Sequence, residues 1–217
     1  NTAGAVVHAY WGERLPDAAD YPEPPDSIFH ASFTGPGHMW PEEYAGLTGL
    51  MYIEPALTLT FADGVRDLVL GFERAEVEGG HLVVHLRDAH YPLRVELHYR
   101  AHVAHDLIER WAVIGNDGAP LTIERAFSAQ WQLPIGRSYR LSYLSGRWIE
   151  EFQLHRQPLS PGVFVRESRR LTTSHHASPW FTLDDGATEE HGEVWFGALA
   201  WSGNWKLAAE VTDFART

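Results

Sequence analysis

From Ala56 onward, apolar and polar residues alternate along most of this chain with a period of two. Leu57, Leu59 and Phe61 alternate with Thr58 and Thr60, and the run stops at Ala62-Asp63-Gly64, a turn signal. Leu93, Val95, Leu97 and Tyr99 alternate with Arg94, Glu96, His98 and Arg100, predicting a strand with one buried and one charged face. Leu107 to Ile114 and Leu121 to Leu133 flank Asn116-Asp117-Gly118, residues that tolerate positive φ, and this predicts a hairpin. Further turns are predicted at Glu78-Gly79-Gly80, Asp184-Asp185-Gly186 and Ser202-Gly203-Asn204. No stretch carries a long 3.6-residue apolar period, and at most a turn or two of helix fits near Trp40 to Tyr44.

Many strands joined by short turns, with no helices to cover parallel crossovers, predict antiparallel sheets packed face to face. We read an all-β chain folded as one large β-sandwich over residues 1–217, without internal repeats or low-complexity segments. Pro16 to Pro36 holds 5 prolines and cannot form a central strand, because Pro cannot donate to a ladder. It reads as a long surface loop, and such loops often carry function.

A hydrophobic content of 44% with 9 Trp is enough to fill a sizeable core. The net charge of −12, with Lys206 the one lysine, argues against nucleic acid as a partner. Apolar runs such as Leu68-Val69-Leu70 are far too short to cross a bilayer, and no signal peptide opens the chain, so a cytoplasmic protein without a membrane partner is expected. The absence of Cys removes disulfides, thiolate catalysis and cysteine-ligated zinc, although exported proteins can also lack disulfides. The chain starts at Asn1 without an initiator Met, which suggests processed or truncated ends.

Three kinds of residue invite a chemical reading. Six of the 13 His crowd between His81 and His105, and in a strand His81 and His85 share a face, as do His98 and His102. The spacing is not that of a specific metal site, so no metal is expected. Glu150-Glu151, Asp184-Asp185 and Glu189-Glu190 are adjacent carboxylate pairs, but neighbours in a strand point to opposite faces. They do not converge on one bond as glycoside hydrolysis requires, and all three read as surface charge, leaving no catalytic residue. Trp180, Trp195, Trp201 and Trp205 could stack on sugar rings, yet most large aromatics fill cores. In Ser202-Gly203-Asn204, Gly permits a tight turn and Asn204 can either brace backbone or bind a hydroxyl.

One ordered set of motifs goes further. Glu167-Ser168-Arg169-Arg170, Thr173-Ser174-His175, Pro179-Trp180-Phe181, His191-Gly192-Glu193-Val194 and Trp201-Ser202-Gly203-Asn204-Trp205 follow one another along the chain. That order and spacing resembles the N-terminal domain of bacterial α-galactosidases of retaining glycoside hydrolase family 36. His8-Ala9-Tyr10-Trp11-Gly12-Glu13-Arg14-Leu15, Glu54-Pro55-Ala56 with Phe61-Ala62-Asp63-Gly64, and Leu144-Ser145-Gly146-Arg147-Trp148 resemble further family segments, so the likeness covers almost the whole chain.

The resemblance implies a β-supersandwich related to galactose mutarotase folds, placed before a (β/α)8 barrel that holds an Asp nucleophile and an Asp acid/base. Nothing in this chain resembles the barrel, and the family's opening strand is also absent. The implied role is to cover one side of the barrel's active site, shape access through loops around Trp40 to Glu54, and support homo-oligomer assembly. The implied partners are the barrel and an α-galactoside substrate; no cofactor is implied. Many relatives carry Asp-Phe-Arg-x-Pro, whose Asp binds galactose hydroxyls. Here Met51, Tyr52 and Ile53 fall on the Asp, the aromatic and the Arg. Met and Ile cannot make those hydrogen bonds, so either the substrate differs or sugar binding relies more on the barrel. Met51, Tyr52, His175 and Asn204 are the candidate substrate-contacting residues. Two other readings are a stand-alone mutarotase-like epimerase, needing a His acid and a Glu base around one sugar, and a carbohydrate-binding module.

Overall fold

The computed structural model describes residues 4–12, 41–47, 53–134 and 137–212. The Pro16 to Pro36 segment, Trp40, Met51 and Tyr52 lie outside them. Twelve strands follow in order: β1 (Leu57–Thr60), β2 (Leu70–Glu78), β3 (His81–Asp88), β4 (Leu93–His102), β5 (Leu107–Asn116), β6 (Thr122–Ala126), β7 (Arg140–Arg147), β8 (Glu150–Pro158), β9 (Gly162–Ser168), β10 (Trp180–Asp184), β11 (Val194–Ala198) and β12 (Trp205–Val211). Among the described residues a single 3-10 turn, Val103–His105, joins β4 to β5. Every pair of named strands is antiparallel, as the alternating pattern leads one to expect. The turn of helix allowed near Trp40 to Tyr44 is not formed within residues 41–47. The chain divides into two compact units, Asn1–Gln132 and Leu133–Thr217.

In the first unit, β2-β3-β4-β5 form a meander and β1 pairs with β6. The β2–β3 turn is made by Gly79 and Gly80, both at positive φ, the conformation a two-residue hairpin loop demands. Pairing of Val84 with Leu97 and of Leu86 with Val95 places four apolar side chains on one face. They pack with Leu57, Leu59, Leu93 and Tyr44 into the core, while Glu96, His98 and Arg100 stay on the opposite face. The buried Asp88 carboxylate shapes the β3–β4 turn by accepting the amides of Val69, His90 and Tyr91 at 2.7–2.9 Å.

One expectation needs correction. Asn116-Asp117-Gly118 is a turn, with the Gly118 amide donating to Asn116 Oδ1 at 3.0 Å, but it does not close a hairpin. β5 pairs with β4, and the strand that follows the turn pairs with β1 instead. Turn chemistry fixes the local reversal, whereas the partner is set by the tertiary context, which pairs Leu59 with Ile123 and Leu57 with Ala126.

In the second unit the sheet order is β11-β10-β7-β8, and β9 pairs with β12. Leu141, Phe181 and Trp195 are buried, and the Tyr139 ring meets Trp195 edge-on at 5.8 Å. Gly197 lies opposite Phe181, where a Cβ would come within 2.5 Å of the ring. Trp195 and Trp205 thus join the core, whereas Trp148 and Trp201 are exposed.

Candidate functional site

In the first unit Ala45 and Ala56 are both buried. The Ala45 carbonyl accepts the amides of both Ala56 (2.9 Å) and Leu57 (3.2 Å), which draws together the stretches that flank residues 48–52. Polar side chains hold these two stretches together. Gln130 accepts the Ala45 amide on Oε1 (3.0 Å) and donates from Nε2 to the Glu54 carbonyl (3.4 Å). Arg125 pairs with Glu54 at 2.6 Å and donates to the Pro55 carbonyl at 3.3 Å. The buried Tyr44 hydroxyl donates to the Phe127 carbonyl at 2.7 Å, and burial pushes its acidity well below that of an ordinary tyrosine.

Glu43 is the centre of this arrangement. Its buried carboxylate accepts from His8 Nδ1 and from the Tyr99 hydroxyl, each at 2.7 Å, and is paired with Arg110. Burial would raise the Glu43 pKa, but the His8 hydrogen bond, the Arg110 charge and the Tyr99 hydroxyl outweigh it and hold the carboxyl below its ordinary value. The Tyr99 pKa is raised, first by burial and then by the Glu43 charge. The Arg110 guanidinium lies over the Tyr99 ring (4.6 Å) and the Trp131 ring (5.0 Å), and it donates to the Gln130 carbonyl at 2.8 Å. Trp131 stacks in turn on Trp11 at 5.6 Å. The fit between Arg and a ring face is electrostatic, and desolvation strengthens it.

Chemically, this cluster holds structure. An epimerase needs a His and a Glu on either side of a sugar, but His8 and Glu43 touch each other and leave no gap for a ring. Glu43, Asp63 and Glu124 all have lowered pKa values, whereas a glycosidase general acid needs a raised one. Asp184, read from sequence as surface charge, is buried: it receives Arg140 Nη2 at 2.8 Å and Nε at 3.3 Å and accepts the Ala187 amide at 3.0 Å. Asp185, Glu189 and Glu190 are exposed.

Met51 and Tyr52 lie outside the described residues. His175 and Asn204 are both exposed in the second unit. Asn204 braces backbone: its Oδ1 accepts the amide of Leu171, whose φ is +60°. With Thr173 donating to the Ser202 and Trp201 carbonyls, this bond ties the 169–178 segment to the turn before β12. The His175 ring rests against His176 at 4.4 Å, and no hydrogen bond joins it to Asn204 among the described residues. His81 of β3 and His98 of β4 form a stacked group, with His81 Nε2 3.0 Å from His98 Nδ1 and His98 parallel to Trp111 at 4.6 Å. Among the described residues, no three His, Asp or Glu side chains are placed to hold a metal.

Sequence reasoning missed His8, Glu43, Tyr99, Arg110 and Gln130. One signal was present: Arg110 shares its strand face with Ala112 and Ile114, and a charge in a core register requires a partner.

Residues 4–217 match the family described as glycosyl hydrolase family 36 N-terminal domain. The α-galactosidase AgaA of Geobacillus stearothermophilus is 28% identical over 98% of this chain and 33% of its own length. The bifunctional α-galactosidase/sucrose kinase AgaSK of Mediterraneibacter gnavus is 28% identical over 99% of this chain and 26% of its own length. The crystal structure of AgaA superposes with a TM-score of 0.87 at 26% identity, again over 98% of this chain and 33% of that one. This chain therefore spans about a third or less of the length of these relatives.

Proposed function

This chain belongs to the glycosyl hydrolase family 36 N-terminal domain family, and from that premise we propose that it is the N-terminal, non-catalytic part of a longer α-galactosidase. On this reading residues 1–217 act as a single domain, as the unbroken family match over residues 4–217 supports. The full polypeptide hydrolyses terminal α-galactosides with retention, through two carboxylates carried beyond this chain and without a cofactor. This domain shapes the entrance to that active site and supports assembly into a homo-oligomer, and the protein works in the cytoplasm.

The observation that carries the reading is the clamped loop base. Glu43, Arg110, Gln130 and Arg125 hold the stretches on either side of residues 48–52, where family members present their galactose-binding Asp. Met51, Tyr52, His175 and Asn204 remain the proposed contacts; the Oδ1 of Asn204 is engaged with Leu171, which leaves its amide nitrogen to meet a hydroxyl.

The test compares the pure 217-residue chain with a polypeptide that continues past Thr217, both assayed on an aryl α-galactoside. Turnover by the longer polypeptide alone is expected. Turnover by the short chain, or none by either, overturns the proposal.

A further inference from the structure

The sheet of the second unit stops at β8. Among the described residues no strand pairs with its outer edge, although β8 is 9 residues long. Native proteins blunt such an edge with charged side chains (Lys above all), Pro, bulges or cover, because its unpaired amides and carbonyls form a template for another strand. β8 has no Lys and no Pro before its last residue, and Phe152 and Leu154 are 70% and 49% exposed on it. The turn leading into it presents Trp148 and Ile149 at 77% and 81% exposure.

We propose that β8 pairs with β8 of a second copy of this chain, antiparallel about a twofold axis through Gln153. This specifies the surface for the assembly role proposed above and rests on that reading. The strand is complementary to itself in this register. Centring on Gln153 sets Phe152 opposite Leu154, Glu151 opposite His155, Glu150 opposite Arg156 and Trp148 opposite Pro158, each row occurring twice. Acid thus meets base or apolar meets apolar at four of the five rows outside the axis, the exception being Ile149 opposite Gln157. Centring on Leu154 sets Glu150 against Pro158 and Phe152 against Arg156, and no acid meets a base. Phe152, beside the axis, has a left-handed φ of +57° where the β7–β8 ladder shifts register, so each copy brings the same bulge to the seam. Joined in this way, two four-stranded sheets become one of eight strands, an isologous contact of the kind twofold dimers use.

The absence of Cys from the chain makes the register directly testable. Residues facing each other across an antiparallel pair lie about 4.5–5.5 Å apart at Cα, within the span of a disulfide. Gln153→Cys is expected to form a covalent dimer under mild oxidation, while Gln157→Cys, placed opposite Ile149, stays uncrosslinked. In sedimentation equilibrium, Arg156→Glu should raise the dimer Kd by roughly tenfold, and Glu150→Arg/Arg156→Glu should restore most of it. Unchanged far-ultraviolet circular dichroism verifies that these exposed substitutions leave the fold intact. A dimer indifferent to the charge changes, with no Gln153→Cys cross-link, overturns this interface but leaves assembly through another face standing. A chain that sediments as a monomer at every concentration overturns both.

Discussion

Replacing Arg110 by Met is the most direct probe of the loop base. The guanidinium has 6% side-chain exposure and Glu43 8%, so the substitution strands a carboxylate in the interior. Removing one partner of a buried ion pair costs about 3–5 kcal/mol, because the other charge is left uncompensated. His8 and Tyr99 still reach Glu43, which favours the lower part of that range. At a urea dependence of about 2 kcal/mol per molar, the unfolding midpoint should fall by roughly 1.5–2.5 M, followed by Trp fluorescence. The double variant Glu43→Gln/Arg110→Met keeps no stranded charge and should recover about 1–3 kcal/mol of the loss.

Acidity gives the same idea a second readout. In the wild type the Glu43 carboxyl is held below its ordinary value, so its contribution is complete above the unfolded carboxylate range and is lost as pH falls through the lower folded value. Without Arg110 the upward push of burial loses its main charge opponent, and a proton neutralises the stranded carboxylate at milder acidity. The stability gap between wild type and Arg110→Met should therefore narrow from pH 7 to about pH 4.5. A gap that stays constant over that interval, or a double variant no more stable than the single one, refutes the reasoning.

Other outcomes follow from single contacts. Leu93→Ala removes a side chain with 0% exposure and should cost about 2–5 kcal/mol in thermal or urea unfolding. Asp184→Ala strips Arg140 and the Ala187 amide of their acceptor and should cost about 2–4 kcal/mol by the same measurement. Leu171→Gly should stabilise by about 1 kcal/mol, because Leu171 is 84% exposed and sits at φ +60°. Asn204→Ala should cost about 1 kcal/mol, seen as faster hydrogen exchange of the Leu171 amide.

Local rules made much of this molecule readable. The alternation in Leu93, Val95 and Leu97 gave a strand and its buried face, and Gly79-Gly80 gave a tight turn, because both depend on neighbours in sequence. Asn116-Asp117-Gly118 showed the limit of that logic: three residues specify a reversal, but the next strand pairs with β1, more than fifty residues earlier. Asp184 looked like solvent-facing charge because Arg140, its partner, is 44 residues away. The loop base was hidden for the same reason, since Glu43 meets His8, Tyr99 and Arg110 across 35, 56 and 67 residues. Motif order located the family where spacing and charge located no site.

The long reach of the loop base also sets a timetable for synthesis. Ala45 is held by Gln130, 85 residues downstream. At about 5–20 residues per second, a ribosome takes roughly 4–17 s to travel between them. Throughout that interval the Glu43 carboxylate must stay hydrated, because Arg110 emerges only near its end. The contacts that hold Glu43 and Ala45 are therefore completed late, as Arg110, Gln130 and Trp131 arrive within 22 residues of one another. Slowing translation before Arg110 would prolong the time in which Glu43 lacks its cation while the apolar core residues through Leu97 have already emerged.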